Sequence, residues 1–280
     1  MPGLRCYLRV RLMPSREGTH PDWVAYEPAL VPSLARMASE GIAVLEEWFR
    51  WGEEWSMLLR VYGNLRFNSR VLEIGCGQGR VAFALRYIIS GGTYIGFDID
   101  RDKIGFLERT FHSAHANFEF LWADVRNSFY NPSGRLAASG YRFPAPDQSQ
   151  DLVFAASVFT HMVPENAAHY FKESARVLGP GGRCVFSFFL LDNYVRSRPR
   201  RQGFNNPRFE FNHEYGGHRQ DFAIVEPSDP ERMTAYRRSL VERLAREAGL
   251  RLVQEPLPGY WSGAFDTWIG AQDVVVLERQ

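Results

Sequence analysis

The chain has 280 residues, 45% of them hydrophobic and 14% aromatic, enough to fill the core of one large domain with additions. A formal net charge of +1 excludes the global basic footprint of a dedicated nucleic-acid binder. Cys6, Cys76 and Cys184 form no CxxC metal pattern, no apolar run reaches the roughly 18 residues of a membrane helix, and Arg5, Arg9 and Arg11 interrupt any signal-peptide core, so a reduced, cytoplasmic protein with no membrane partner is expected.

In chain order, residues 1–20 read as a polar, irregular leader. The stretch 29–65 is helical in pattern and rich in aromatics, with Trp48, Phe49, Trp55 and Tyr62 among its apolar positions, and predicts two or three helices. From Arg70 strand and helix signals alternate, which predicts an α/β fold with a doubly wound, mostly parallel sheet. Strands are expected over 70–74, 93–99, 118–125, 151–159, 183–191, 251–257 and 271–279, and helices over 80–89, 102–112, 164–178 and 231–250. A polar insertion at 126–149 carries three prolines. Residues 192–230 lack periodicity and are too long for a simple connector, so they predict an inserted lid. The boundaries that follow are a leader and helical lid over 1–66 and a main domain over 67–280.

The most informative stretch is VLEIGCGQGR at 71–80, where Gly75, Gly77 and Gly79 follow a buried strand and precede a helix. Glycines at such a junction let a ligand approach backbone N–H groups that point outward, which suits a nucleotide-like molecule. The spacing fails the dinucleotide fingerprint, because position 80 holds Arg80 where G-x-G-x-x-G needs glycine.

E-x-G-x-G-x-G followed by arginine resembles the first motif of the class I S-adenosylmethionine-dependent methyltransferases, and the similarity extends over about 70–191. GFDID at 96–100, WADV at 122–125, DLVFAASVFTH at 151–161 and RVLGPGGR at 176–183 fall where that family has its later motifs. The resemblance implies a Rossmann-like fold of seven strands and S-adenosylmethionine as cofactor. It implies that Asp98 and the adjoining Ile99 take the ribose, that Asp124 and Val125 take adenine, and that Ser157 borders the cofactor. The backbone of Gly75, Cys76 and Gly77, with Gly79 completing the turn, would hold the methionine part; Glu73 would orient the loop or meet the amino group, and Arg80 the carboxylate. The alternative for Glu73 and Arg80 is a local ion pair at the helix start, and Asp100 and Asp102 read as helix caps.

Methyl transfer needs a general base only when the acceptor is a hydroxyl, and His161, just past the fourth strand, is the candidate, with a purely structural histidine as the alternative. His213 competes for the role, and Glu214, Tyr215 and His218 lie in the same irregular stretch. Asp192 and Asn193 resemble the acidic pair of metal-dependent relatives, but the fourth-strand ligand position is Ala156, so no metal is expected. Cytosine-C5, adenine-N6 and arginine methyltransferase signatures are absent after the fourth strand. What remains is a small organic acceptor, foremost a hydroxyl of a sugar or natural-product intermediate, with no nucleic-acid partner. The alternatives are an RNA or protein methyltransferase, for which Arg196, Arg198, Arg200 and Arg201 would supply a basic run, and a non-catalytic cofactor-binding module.

Overall fold

The computed structural model describes residues 27–193, 210–217 and 220–280; the leader at 1–20, His218 and the arginine run at 196–201 lie outside them. Five strands run parallel: β1 (Arg70–Ile74), β2 (Thr93–Asp98), β3 (Phe118–Trp122), β4 (Gln150–Ala155) and β5 (Leu178–Phe188). Two short strands, β6 (Phe222–Ile224) and β7 (Thr234–Tyr236), pair with each other outside the main sheet. β8 (Leu250–Leu252) and β9 (Asp273–Arg279) complete that sheet, with β9 antiparallel to both β5 and β8. Its order is β3-β2-β1-β4-β5-β9-β8. The order reverses between β1 and β4, and in open α/β sheets a ligand crevice opens at that point beyond the strands' carboxyl ends.

The helices are α1 (Leu34–Ala38), α2 (Leu45–Val61), α3 (Arg80–Leu85), α4 (Arg101–Phe111), α5 (Pro164–Val177) and α6 (Arg238–Glu247). Alternation along the strands fills two cores. Leu72 and Ile74 of β1 join Phe171 of α5 and Leu244 of α6 on one face, while Val71 joins Trp48 of α2, Val81 of α3 and Leu107 of α4 on the other. Trp48 stacks at a tilt on Phe83 with centroids 5.2 Å apart, and Trp55 lies over Phe154 of β4 at 5.9 Å. These tryptophans are therefore part of the core. Gly52 allows the approach of α2, since a Cβ there would stand 2.5 Å from the Arg80 carbonyl oxygen.

Several expected elements differ, among them the strands expected over 118–125 and 151–159, which end at Trp122 and Ala155. The helix expected over 231–250 starts only at Arg238, because Thr234, Ala235 and Tyr236 are buried in β7 against β6, a partner whose distance in sequence hides it from local periodicity. The helix expected over 80–89 ends at Leu85. The strand expected over 251–257 is limited to β8, Leu250–Leu252. β5 takes in the GPGG turn as well, and a register shift between Gln150 and Leu152 absorbs the extra residues.

Candidate functional site

The turn between β1 and α3 is built around the β2 strand end. Gly75 N and Cys76 N both donate to the Phe97 carbonyl, at 2.8 and 3.1 Å. Gly75, Gly77 and Gly79 have φ of +70°, +53° and +78°, a region that residues with a Cβ enter only at a cost. The space is restricted too: a Cβ on Gly77 would stand 2.5 Å from Glu40 Oε1. Gln78 Oε1, buried in the same turn, has no hydrogen-bond partner among the described residues.

Asp98 closes β2 beside this turn. Its Oδ2 accepts from Gly77 N at 2.8 Å and its Oδ1 from Asp100 N at 2.9 Å, so the carboxylate is fixed in direction. Burial pushes its pKa up, against the pull of Lys103 and of those two amides. Asp100 caps α4, accepting from Asp102 N and Lys103 N, and Asp102 pairs with Arg36 at 2.7 Å.

Glu73 faces the same core as Val71, because residues two apart in a strand share a side. It is 2% exposed, its carboxyl is hydrogen-bonded to the Tyr94 hydroxyl, and burial pushes its pKa up to about 8. Arg80 takes other partners, lying 5.3 Å from the Trp51 ring and 4.0 Å from Glu40. The helix-start ion pair is thus replaced by two separate attachments. Burial also pushes the Cys76 thiol up, which keeps it protonated and unreactive.

A consequence for Glu73 can be measured. A carboxyl whose folded pKa is raised keeps its proton in the folded state while the unfolded chain loses it, so stability is highest below the unfolded value near 4.5 and falls until the pH passes about 8. Glu73→Gln removes that titration and retains an acceptor for Tyr94. The variant is expected to gain stability over the parent by up to about 1.4 kcal/mol per pH unit within that window, with no further gain above it. Thermal melts of both proteins from pH 5 to 9 decide it; parallel curves would show that Glu73 is ionised in the fold.

Asp124 follows β3, and its carboxylate is paired with the Arg135 guanidinium, which holds its pKa below the usual carboxylate range. The Asp124 carbonyl accepts from Leu136 N at 2.9 Å, and Val125 forms a parallel bridge to Leu136. Ile99 packs on the core, and its carbonyl accepts from Trp122 Nε1 at 3.2 Å. Ser157, beyond β4, has φ +64° and is held in a ring of hydrogen bonds: its N–H donates to Ser187 Oγ at 2.8 Å, Ser187 Oγ donates to Gln272 Oε1 at 2.7 Å, and Gln272 Nε2 returns to Ser157 Oγ at 2.8 Å. The ring joins the ends of β4 and β5 to the residue before β9. Asp192 and Asn193 are engaged elsewhere, Asp192 accepting from Arg238 N at 2.7 Å and Asn193 donating to Asp273 at 3.0 Å.

His161 ends a short turn, Phe159–His161, after β4. Its Nδ1 lies 3.3 Å from the Glu231 carbonyl oxygen, which can only accept, so that nitrogen carries the proton and Nε2 is left to accept from the Tyr130 hydroxyl at 3.3 Å. Burial pushes the imidazole's pKa down and keeps it neutral at pH 7. The Phe129 ring lies parallel to it at 6.4 Å, and Asn127 positions both aromatics by accepting from Phe129 N at 3.1 Å and Tyr130 N at 2.9 Å. Burial raises the Tyr130 pKa, with the charges of Lys103, Glu40 and Asp98 acting on its phenol more weakly. Sequence reasoning does not single out Tyr130, whose signal there is the aromatic pair Phe129–Tyr130 in a polar insertion. His213 is exposed, and its backbone pairs with Ile224 of β6. A cavity of about 450 Å³, lined by Arg126, Arg135, Leu136, Val163, Tyr215 and Glu231 among others, opens beside Asp124 and behind His161.

These residues fit an adenosine cofactor with an amino-acid tail. The outward N–H groups expected of the glycine turn are not found, since the amides of residues 75–79 all donate within the protein, but the turn lies beside a directed carboxylate at the β2 end, with a second carboxylate after β3 and a buried acceptor on Gln78. The family described as methyltransferase domain matches residues 72–186. The chain is 33% identical over 132 residues to a fatty-acid O-methyltransferase of Mycolicibacterium smegmatis, a match over 47% of this chain and 38% of that protein. It is 29% identical over 214 residues to a 27-O-demethylrifamycin SV methyltransferase of Amycolatopsis mediterranei, covering 74% of this chain and 71% of the other. Among solved structures, the PH0226 protein of Pyrococcus horikoshii superposes with a TM-score of 0.55 at 20% identity, over 85% of this chain and 92% of the other.

Proposed function

Since the chain belongs to the class I S-adenosylmethionine-dependent methyltransferases, we propose that it methylates an oxygen of a small organic acceptor, foremost the hydroxyl of a natural-product intermediate or sugar. The observation that carries this reading is the Tyr130–His161 pair: an imidazole just past the end of β4, held neutral by burial and with its Nε2 turned to a phenol, is equipment for removing a hydroxyl proton. The two curated relatives, named for O-methylation of a fatty acid and as a methyltransferase of a 27-O-demethyl rifamycin, support the acceptor class.

S-adenosylmethionine supplies a methyl group on a sulfonium, and the chain's own residues align, shield and deprotonate. When it is bound, Asp98 would accept hydrogen bonds from the ribose hydroxyls and Asp124 from the adenine amino group, and the turn at Gly75 and Gly77 would hold the methionine part. The acceptor oxygen would take that methyl group, and the sulfur would keep the electrons of the bond that is lost. The acceptor's proton passes to the Tyr130 oxygen as the Tyr130 proton passes to His161 Nε2, leaving an imidazolium and a neutral tyrosine. Much of the rate comes from in-line alignment and exclusion of water.

A carboxylate acceptor is the second reading, and it rests on Arg126 and Arg135 in the cavity beside Asp124. Such an acceptor has no proton to lose, so His161 would then be dispensable. Incubation with methyl-labelled S-adenosylmethionine and a panel of polyketide alcohols, sugars and long-chain fatty acids tests both. The expected result is S-adenosylhomocysteine formed in equal amount with a methyl ether. Methyl esters alone would select the second reading, and label appearing only in RNA or protein fractions would overturn both.

A further inference from the structure

A side chain from the N-terminal segment meets the glycine turn. Glu40 lies just after α1, in a turn where Gly41 takes φ +74°. Its Oε1 accepts from Gln78 N at 2.9 Å and stands 3.3 Å from Lys103 Nζ, and its Oε2 lies 4.0 Å from Arg80. Only 12% of the side chain is exposed. Lys103, in the first turn of α4, is buried as well. Burial opposes its charge, but Glu40, Asp98 and Asp100 outweigh that cost and raise the ammonium's pKa.

Two adjacent amides of one turn thus aim two carboxylates. Gly77 N holds Asp98 at 2.8 Å and Gln78 N holds Glu40 at 2.9 Å, with the Lys103 ammonium 3.3 Å from Glu40 and its charge also acting on Asp98. Attachment of the segment to the fold does not require this arrangement. Arg36 already pairs with Asp102 at 2.7 Å and lies 5.3 Å from the Phe106 ring, and Glu27 pairs with Arg86 at 2.6 Å. A charged group taken out of water beyond those needs is better explained by the ligand surface it reaches.

We propose that residues 33–42 cover the bound cofactor and that Glu40 is the clasp of this cover, a positioning residue that retains S-adenosylmethionine and S-adenosylhomocysteine by fastening the segment to Gln78 and Lys103 beside Asp98. The clasp and the ribose carboxylate share one turn and one lysine, so a cofactor that orders Asp98 orders Glu40 with it. A cover slows departure more than arrival. It also acts on both cofactor forms alike, because it holds the segment and does not read the sulfonium charge.

Calorimetry and stopped-flow binding of the full chain with S-adenosylmethionine and with S-adenosylhomocysteine test this. Glu40→Ala is expected to raise both dissociation constants about tenfold, carried by a faster off-rate with the on-rate nearly unchanged, as is usual when contacts around a ligand are lost. Glu40→Gln, whose amide oxygen still accepts from Gln78 N, is expected to lose less, and Lys103→Gln, which removes the other half of the clasp, to resemble Glu40→Ala. Thermal midpoints close to the parent's exclude simple unfolding; if Glu40→Ala does not fold, Lys103→Gln decides. Unchanged binding overturns the proposal. Tighter binding overturns it too, since Glu40 would then be a plug that the cofactor must displace, and a loss confined to S-adenosylmethionine would mean that Glu40 reads charge. A parent protein that binds neither compound would overturn the cofactor assignment itself, and the parent titration shows that outcome separately.

Discussion

Asp98→Ala is expected to weaken S-adenosylmethionine binding by about 1.5–3 kcal/mol, or roughly 10- to 150-fold, the range for losing hydrogen bonds to a charged acceptor. Two effects act together. The ribose hydroxyls lose their carboxylate, and the turn loses its shape, because Gly77 N and Asp100 N, which bond Asp98 at 2.8 and 2.9 Å, are left without acceptors. Asp98→Asn separates them: one oxygen still accepts, while the amide nitrogen opposes one of the two backbone donors, so an intermediate loss is expected. Calorimetry on the three proteins measures this directly. If the alanine variant binds as tightly as the parent, Asp98 does not hold the ribose.

Loss of the proton-handling pair is expected to have the largest effect on turnover. With a hydroxyl acceptor, His161→Gln and Tyr130→Phe are each expected to lower kcat by about 10²–10⁴-fold, the contribution typical of general base catalysis, with cofactor affinity nearly unchanged. The two should not add, because they remove one relay. The pH profile carries a sign that a structural role would not produce. His161 must be neutral to accept, and burial pushes its pKa below the ordinary 6.5, so the parent rate should stay level from pH 9 down past 6.5 and fall only under more acid conditions. Glutamine at position 161 should abolish that acid limb. Normal turnover of His161→Gln across pH 6 to 9, with a lowered thermal midpoint, would show that the imidazole only supports the Phe129–Tyr130 loop; His213, exposed beside β6, would be the next candidate.

The sequence by itself determined the elements whose signals are local. Apolar β1, the glycines at 75, 77 and 79, and the acidic ends of β2 and β3 occupy adjacent positions, so chain order alone placed the turn, Asp98 and Asp124 at the carboxyl edge of a parallel sheet. The family resemblance rested on those same residues. Tertiary structure decided whatever depends on partners far apart in sequence. β7 replaces the start of a helical pattern because β6 is there to pair with it, and Glu73 is a buried, proton-holding carboxyl because α2, α3 and α4 cover its face of the sheet. Tyr130 reaches His161 only because the loop after β3 meets the turn after β4, and Glu40 reaches Gln78 only because a segment more than thirty residues before the glycine turn folds across it. Periodicity reports which side of an element is apolar, a property of neighbours along the chain; which polar group meets which across the crevice is set by the packing of whole elements, and no window of sequence contains both partners.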